Sequence, residues 1–383
     1  MVNINYRHYQ EGDDPQLADL FNRAFQMNGL SVVRTPKSWN WRYIQSPSFE
    51  PEMCQIAEEI ENKKIVGAVC VNLIEKISFN GNEYLVGEIN DVSCHPDFTR
   101  RGIATNLMKM AINYMEKKGC DISILGADYD GHARKKIYLK LGYFDVDGGY
   151  TFLQFPNLFK LTKDIIAFAI FFPVFFTISY IPRFLSRLRI KYNNFFRNFS
   201  WEINDNKKHT EFMEAVNEII PKYYTGFPLY NKKKFEWARM KVPAKRHRPT
   251  YVIIKKRSKI IGGAVITHQN IYAFKYGIKF RIGIIHDIFL DKTQFTNKKN
   301  LHLGYIYLID KIIKAATRRN IGILMYMATS KDFDIHKALK GMNYLKLKGE
   351  TTMIKPIKKD IKITNLFFKK PLFLPTYVSS GVP

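Results

Sequence analysis

The chain has 383 residues, 46% of them hydrophobic and 14% aromatic, which is enough for two domains with a large core and excludes a disordered chain. Its formal net charge is +26, and the excess is confined to one part of the sequence. Residues 1–157 hold 17 basic and 20 acidic residues, a net charge of −3, whereas residues 158–383 hold 43 and 14, a net charge of +29. Such a basic part suits an anionic membrane, a nucleic acid or an anionic substrate, and equally a merely solvated surface.

The four cysteines (Cys54, Cys70, Cys94 and Cys120) have no CxxC pair and no metal-ligand spacing. We therefore expect reduced thiols and no metal site. The residues up to Asp14 contain no apolar stretch, so we expect no signal peptide and a cytoplasmic protein.

Strand and helix patterns alternate from the first residues onward. Residues 3–7 are predicted as a strand, and a helix begins at Asp14, where the following proline fits a first helical turn. An aromatic cluster at residues 38–43 either lines an acceptor cleft or packs in the core. Strands are then predicted at residues 53–60 and 64–74, with a hairpin at residues 76–84.

Residues 85–107 combine a strand, a break and a helix start. The strand is rich in valine and isoleucine and ends before Pro96. The helix begins in the basic segment of residues 100–105. Free N–H groups and the helix dipole at such a start favour an anion such as a diphosphate, and Gly102 lets the backbone approach it.

A second pattern follows, in which a helical stretch carries Tyr138, ends at Gly142 and precedes aromatic residues and a strand. The two patterns, in this order and spacing, resemble the signatures of the GNAT-type acetyltransferase superfamily over about residues 3–155. The first resembles the acetyl-CoA pyrophosphate loop, whose Gly102 and Ala104 positions match. Thr99 departs from it, because the family usually has Arg or Gln at that position.

The resemblance implies that acetyl-CoA is the co-substrate and that the edge beside the central strand binds it. Its pantetheine amides would pair with the backbone of Val92, Ser93 and Cys94. Its diphosphate would be held by Arg100, Arg101, Gly102, Ile103, Ala104 and Thr105. Tyr138 would be the general acid toward the CoA sulfur, since a tyrosine with a reference pKa of about 10 is protonated at neutral pH. The alternative is that Tyr138 only packs.

The general base is predicted among the carboxylates of the central strand. Glu88 and Asp91 are three residues apart, so their side chains should point to opposite faces, with only one facing the acceptor. The family favours a strand carboxylate acting through water, and we expect Glu88 to be the base, with a purely structural carboxylate as the alternative. Asp91 has a counterpart in Asp287 further along, which indicates a structural role, and His95 is a weaker candidate.

Residues 158–208 are predicted to connect two domains. Within them, residues 165–182 form 18 residues without a charge, the lower limit for a membrane span, flanked by basic residues. This segment is either an interfacial segment bent at Pro173 that contacts an anionic membrane, or a buried interdomain helix pair.

Residues 209–357 repeat the pattern of the first domain, with counterparts of residues 39–42, 64–67 and 89–92 at residues 235–239, 259–262 and 285–288. Residues 296–301, where the diphosphate loop should stand, contain no glycine, and Lys337 or Ala338 replaces Tyr138. We therefore expect the second copy to shape the acceptor site without binding acetyl-CoA.

The predicted fold is α/β, with two tandem GNAT-like mixed-sheet domains that have helices on both faces and are joined by an apolar insertion. The domains are residues 1–157, catalytic, and 209–357, degenerate, followed by a tail at residues 358–383. The expected activity is transfer of an acetyl group from acetyl-CoA to a primary amine. The alternative is a membrane-associated scaffold protein with a vestigial acyl-CoA site. Nucleic acid is not an expected partner, because the basic part has no base-reading motif.

Overall fold

The computed structural model describes residues 3–26, 30–157, 165–204, 209–239, 249–273, 278–361 and 370–373. The strands are β1 (Ile4–His8), β2 (Leu30–Val32), β3 (Cys54–Glu59), β4 (Lys64–Phe79), β5 (Asn82–Cys94), β6 (Ile122–Asp128), β7 (Phe144–Gln154), β8 (Phe199–Asn204), β9 (Phe227–Pro228), β10 (Thr250–Lys256), β11 (Lys259–Ala273), β12 (Ile278–Leu290), β13 (Ile323–Ala328) and β14 (Leu345–Pro356). The helices are α1 (Asp14–Gln26), α2 (Pro36–Arg42), α3 (Ile103–Lys117), α4 (Ile165–Lys191), α5 (His209–Tyr223), α6 (Lys232–Arg239), α7 (Lys298–Arg318) and α8 (Phe333–Gly341).

These strands form one mixed sheet of 14 strands. Its main path runs β1-β3-β4-β5-β6-β14-β7-β13-β12-β11-β10-β8, with β2 paired to β11 and β9 to β4. Two neighbouring pairs are parallel, β5 with β6 and β12 with β13, and the other pairs of the described strands are antiparallel. The parallel pairs occupy matching places in the two halves, which confirms the predicted α/β fold with tandem GNAT-like halves.

The last strands of the two halves are exchanged across the middle of the sheet. β14, from the second half, lies between β6 and β7, and β7, from the first half, lies between β14 and β13. β7, the strand that the sequence predicts after Gly142, therefore does not close a separate sheet of the first half. Residues 1–157 depend on the second half for one hydrogen-bonding partner of β6 and for both partners of β7.

The two copies of the repeat inferred from the sequence contact each other at a pair of tryptophans. Trp41 Nε1 donates to the carbonyl oxygen of Trp237 at 3.2 Å, and Trp237 Nε1 donates to that of Trp41 at 2.7 Å. Both residues belong to the segments that the sequence pairs as counterparts. The reciprocal bonds indicate that the halves are related by an approximate twofold axis at this contact.

Helices cover both faces of the sheet in the first half. Leu107 and Met108 of α3 pack with Val69 and Ile89 on one face. On the other face, α1 and α2 pack against alternate residues of β4, such as Cys70. The aromatic rings of residues 39, 41 and 43 are each 2% exposed, so core packing is the role that the structure gives this cluster.

The apolar connecting segment forms one helix, α4, which continues through Pro173 and Pro182, so the alternative of a helix pair does not hold. Its last turns pack on α7, where Arg187 Nε lies 2.7 Å from Asp310 Oδ1 and Ile190 is buried. Most side chains of residues 165–179 lie outside the described residues, as does most of the predicted tail. Within the described ranges, no helix has both the length and the apolar character needed to cross a bilayer.

Candidate active site

The centre of the first half is a split between two parallel strands. β5 and β6 pair from Val86↔Ile122 to Ile89↔Leu125, and their pairing ends there. Beyond this point, β5 remains paired only with β4, and β6 only with β14. The backbone of β5 from Asn90 to Cys94 therefore has an edge that faces no strand among those described. Such an edge can pair with an extended amide-bearing ligand.

A β-bulge at Asp91 lies next to the split. Between the pairs Cys70↔Asn90 and Ala68↔Ser93, β5 has one residue more than β4, and Asp91 has a φ of +48°. A bulge bends its strand and increases the twist, which accounts for the divergence of β5 from β6. The second half has the same feature, with Asp287 at a φ of +49°.

Helix α3 begins beside the open edge of β5. Gly102 is its N-cap, with a φ of +78° and no side chain to satisfy the first N–H groups. Its first turn lies close to the sheet, because a Cβ atom on Gly67, which pairs with Cys94, would be 2.7 Å from Ile103 Cγ2. Arg100 and Arg101 are both exposed at this start. The result is a positive helix N-terminus next to an unpaired strand edge.

The matching helix of the second half has a closed start. Asn297 is the N-cap of α7, and its side chain accepts a hydrogen bond of 2.8 Å from the backbone N–H of Asn300. Asn300 Nδ2 in turn donates to Thr296 Oγ1 at 2.9 Å. These side chains occupy the place where a phosphate would meet the helix, in agreement with the missing glycine.

Glu88 lies at the apex of the split, one residue before the last parallel pair, and is 4% exposed. Burial raises the pKa of its carboxyl group to about 7, against the hydrogen bond of 3.1 Å from Asn90 Nδ2 and the charge of Arg42, which both favour the carboxylate. A carboxyl group with this pKa can exchange a proton at neutral pH, as a general base must.

Asp91 lies in a different environment, which the sequence did not indicate. Its Oδ2 atom is 3.5 Å from both Arg34 Nη2 and Arg42 Nε. Burial acts to raise the pKa of Asp91, but Arg42 and Arg34 hold it below its ordinary value. The charge of Arg42 therefore influences both Glu88 and Asp91. The prediction that the two carboxylates point to opposite faces does not hold, because the bulge breaks the alternation of side chains.

Tyr138 lies in a wide π-helical turn, Arg134–Tyr138, and is 6% exposed. Its ring meets that of Tyr143 edge to face at 6.2 Å and packs in the same core as α3. Burial, with the nearby charge of Glu350 from β14, raises the pKa of Tyr138 to about 12, so the hydroxyl is protonated at neutral pH. Glu350 belongs to the second half, and no local sequence pattern could have placed it here.

The structure thus brings most of the predicted site residues to one place. Val92, Ser93 and Cys94 lie on the open edge, residues 100–105 form the start of α3, and Glu88 lies at the apex between β5 and β6. His95 is 4% exposed, its Nδ1 accepts from the Asp97 backbone N–H, and burial lowers its pKa, so its imidazole is neutral. Arg34, Arg42 and Asn90 were missed, although Arg42 and Asn90 lie in segments that the sequence had singled out, residues 39–42 and 89–92.

Comparison with known proteins agrees with this arrangement. Residues 5–144 match the model of the acetyltransferase (GNAT) domain. The chain is 27% identical over 124 residues to the uncharacterized N-acetyltransferase YafP of Escherichia coli (strain K12), a match that covers 32% of this chain and 75% of that protein.

Two solved structures share the fold over nearly the whole chain. Saccharomyces cerevisiae N-myristoyltransferase, solved with bound myristoyl-CoA, has a TM-score of 0.67 and 14% identity, and the match covers 92% of this chain and 83% of that one. A GCN5-related N-acetyltransferase from Anabaena variabilis has a TM-score of 0.57 and 12% identity, with 93% and 73% covered. At these identities the likeness concerns the fold alone. Residues 5–144 of the chain therefore carry a GNAT-type acetyltransferase domain, the domain of N-acyltransferases that use acyl-CoA.

Proposed function

We propose that the protein transfers an acetyl group from acetyl-CoA to a primary amine at the split between β5 and β6. One observation carries the proposal: a buried carboxyl group with a pKa of about 7, Glu88, lies at the apex of an open strand edge that leads to an uncapped helix start at Gly102. The edge, the helix start and the carboxyl group supply different parts of an acyl-transfer site.

Binding of the co-substrate follows from the edge and the helix. The pantetheine amides add to the free edge of β5 at Val92, Ser93 and Cys94, in the manner of an extra strand. The diphosphate accepts hydrogen bonds from the backbone N–H groups of residues 101–105, and the guanidinium groups of Arg100 and Arg101 add charge.

The chemistry needs a proton removed and a proton supplied. Glu88 accepts the proton of the acceptor ammonium through a water molecule, and the neutral amine then attacks the thioester carbonyl carbon. When the tetrahedral intermediate collapses, the C–S bond breaks and the Tyr138 hydroxyl donates its proton to the leaving sulfur. The extra proton on the attacking nitrogen then passes through water to restore the Tyr138 hydroxyl, and Glu88 releases its proton to solvent. Backbone N–H groups of β5 at the split stabilise the oxyanion.

The second half binds no acyl-CoA in this proposal, because Asn297 occupies the start of α7. Residues 1–157 and 209–357 keep separate roles, catalytic and acceptor-shaping, even though they share one sheet. The basic surface of the second half would attract an anionic acceptor or membrane.

A scaffold protein with a vestigial acyl-CoA site is the second candidate, favoured by Thr99 at the position where the family has Arg or Gln. Transfer of an acyl group longer than acetyl is a further alternative, since the yeast N-myristoyltransferase of similar fold was solved with bound myristoyl-CoA. A scaffold would leave the buried carboxyl group poised at neutral pH without a role, whereas the length of the acyl group does not bear on it.

The deciding experiment measures thiol release from acetyl-, butyryl- and myristoyl-CoA with a panel of primary amines, with the product identified by mass. We expect acetyl-CoA to be the best donor and the product to be heavier than the amine by one acetyl group. A better rate with myristoyl-CoA would reassign the acyl group. Binding of all donors without thiol release, together with flotation on anionic liposomes, would favour the scaffold.

A further inference from the structure

A cavity lies in the second half, at the counterpart of the split in the first. β12 and β13 pair in parallel up to Ile285↔Tyr326 and then diverge. The space beyond them has a cavity volume of about 20 Å³, enough for an ammonium group, and is lined by both strands, the loop before α8, Tyr224 and the segment of residues 372–373. Four strand spacings separate it from the split between β5 and β6, roughly 19 Å along the sheet.

A buried carboxylate forms one wall of this cavity. Asp332 is 3% exposed and its Oδ2 accepts a hydrogen bond of 2.5 Å from the hydroxyl of Tyr224. Lys292 lies near Asp332, but its Nζ atom forms an ion pair with Asp334 Oδ2 at 2.5 Å. Burial raises the pKa of Asp332, against the hydrogen bonds from the Tyr224 hydroxyl and the Ile335 backbone N–H and the charge of Lys292, which favour the carboxylate.

A second polar group in the lining has no partner among the described residues. Thr329 is 5% exposed, and its hydroxyl oxygen is buried and makes no hydrogen bond. Native proteins rarely keep an unmade hydrogen bond of this kind without a ligand or water.

Aromatic rings complete the lining. Tyr224, Tyr326 and Phe373 all face the cavity. Burial, together with the negative charges of Asp332 and Asp287, raises the pKa of Tyr326, and all three residues line the cavity. Ring faces favour a cation, and they do so most strongly where water is excluded.

We propose that this cavity binds a ligand carrying a protonated primary amine, whose ammonium group lies between the Asp332 carboxylate and the Thr329 hydroxyl, with aromatic rings around it. An ammonium group has three N–H donors and no acceptor, which matches a cavity that offers a carboxylate and an unused hydroxyl. The site is independent of the acyl transfer proposed for the first half, and it gives the degenerate half a ligand of its own.

The test is calorimetry on the full chain with methylamine, 1,4-diaminobutane and benzylamine, each compared with its neutral alcohol. At least one amine should bind saturably, and at least about tenfold more tightly than its alcohol. Glu88→Gln, which alters the proposed acceptor site of the first half, should leave this binding unchanged.

Thr329→Val is the sharpest variant, because it removes only the unused hydroxyl. It should weaken amine binding about fivefold to tenfold while the melting temperature stays equal or rises. Asp332→Asn should weaken binding further, and if it fails to fold, Thr329→Val still decides. Failure of all three amines to bind, equal binding of amine and alcohol, or unchanged affinity in Thr329→Val would overturn the proposal, whatever the result for acyl-CoA.

Discussion

At the scale of residues, Glu88 and Asp91 lie three positions apart on β5 and have pKa values shifted in opposite directions. Glu88 is buried with an amide as its hydrogen-bonding neighbour, so burial dominates and its pKa rises to about 7. Asp91 is buried as well, but Arg34 and Arg42 reverse the effect. The sequence identified both carboxylates through the strand pattern. It could not predict that their surroundings differ, because Arg34 and Arg42 come from segments about 50 residues earlier.

The raised pKa of Glu88 predicts how activity depends on pH. A base must be deprotonated to accept a proton, so kcat/KM should fall as the pH drops through about 7 and level off above it. Glu88→Gln should lower kcat by about 10²- to 10⁴-fold at pH 8 and abolish this dependence, while acetyl-CoA still binds. Glu83→Gln, on the exposed end of the same strand, is the control. A Glu88→Gln enzyme with full activity would reduce Glu88 to a structural carboxylate.

Tyr138 offers a paired test with its neighbour Tyr143. Tyr138→Phe removes the proposed acid and should lower kcat about 10²-fold with little change in acyl-CoA affinity. Tyr143→Phe removes a hydroxyl that lies 2.7 Å from Ser123 Oγ, so it should lower the free energy of unfolding by about 1 kcal/mol and leave kcat nearly unchanged. Steady-state kinetics and chemical denaturation of both variants distinguish the roles. Equal losses of kcat would indicate that Tyr138 acts through packing.

At the scale of elements, the starts of α3 and α7 show how one glycine decides whether a helix can receive an anion. Gly102 leaves the N–H groups of α3 open, whereas the Asn297 side chain caps α7. This difference was predictable, because capping depends on a few adjacent residues. The split beside α3 was not predictable from local sequence, since it depends on the bulge at Asp91 and on which strand pairs with β6.

The loop before α3 has room for a stronger diphosphate contact. Thr99 is exposed and its hydroxyl bonds only to the Pro96 carbonyl within the described structure. Thr99→Arg should tighten acetyl-CoA binding about threefold to tenfold at low ionic strength, and the gain should shrink in high salt. Thr99→Gln, without the charge, is the matched control. Unchanged affinity of Thr99→Arg at every salt concentration would place the diphosphate elsewhere.

At the scale of the whole molecule, the exchange of β7 and β14 joins the two halves into one sheet. The sequence predicted a strand at β7 within the first domain and did not predict β14. Partner choice could not be predicted, because pairing between residues about 200 positions apart leaves no local signal. Glu350 beside Tyr138 shows the consequence, since the second half completes the surroundings of the catalytic residue proposed in the first.

Truncation tests this dependence. A chain ending at residue 344 lacks β14, so both β6 and β7 lose a hydrogen-bonded neighbour. We expect it to lose cooperative thermal unfolding and acyl-CoA binding. A chain ending at residue 373 keeps every described element and should behave as the full chain does. A monomeric fragment of residues 1–157 that melts cooperatively and binds acyl-CoA would contradict this expectation.

The most direct measurement is calorimetric binding of acetyl-CoA to the full chain, compared with Gly102→Glu and Gly119→Glu. Both glycines flank α3, both have positive φ values, +78° and +71°, and neither has an atom within 4 Å of an added Cβ, so the two variants carry similar backbone strain. We predict saturable binding that is lost in Gly102→Glu, where a side chain and a negative charge meet the diphosphate, and kept in Gly119→Glu. Equal affinity in the wild type and Gly102→Glu would contradict the assignment of the acyl-CoA site.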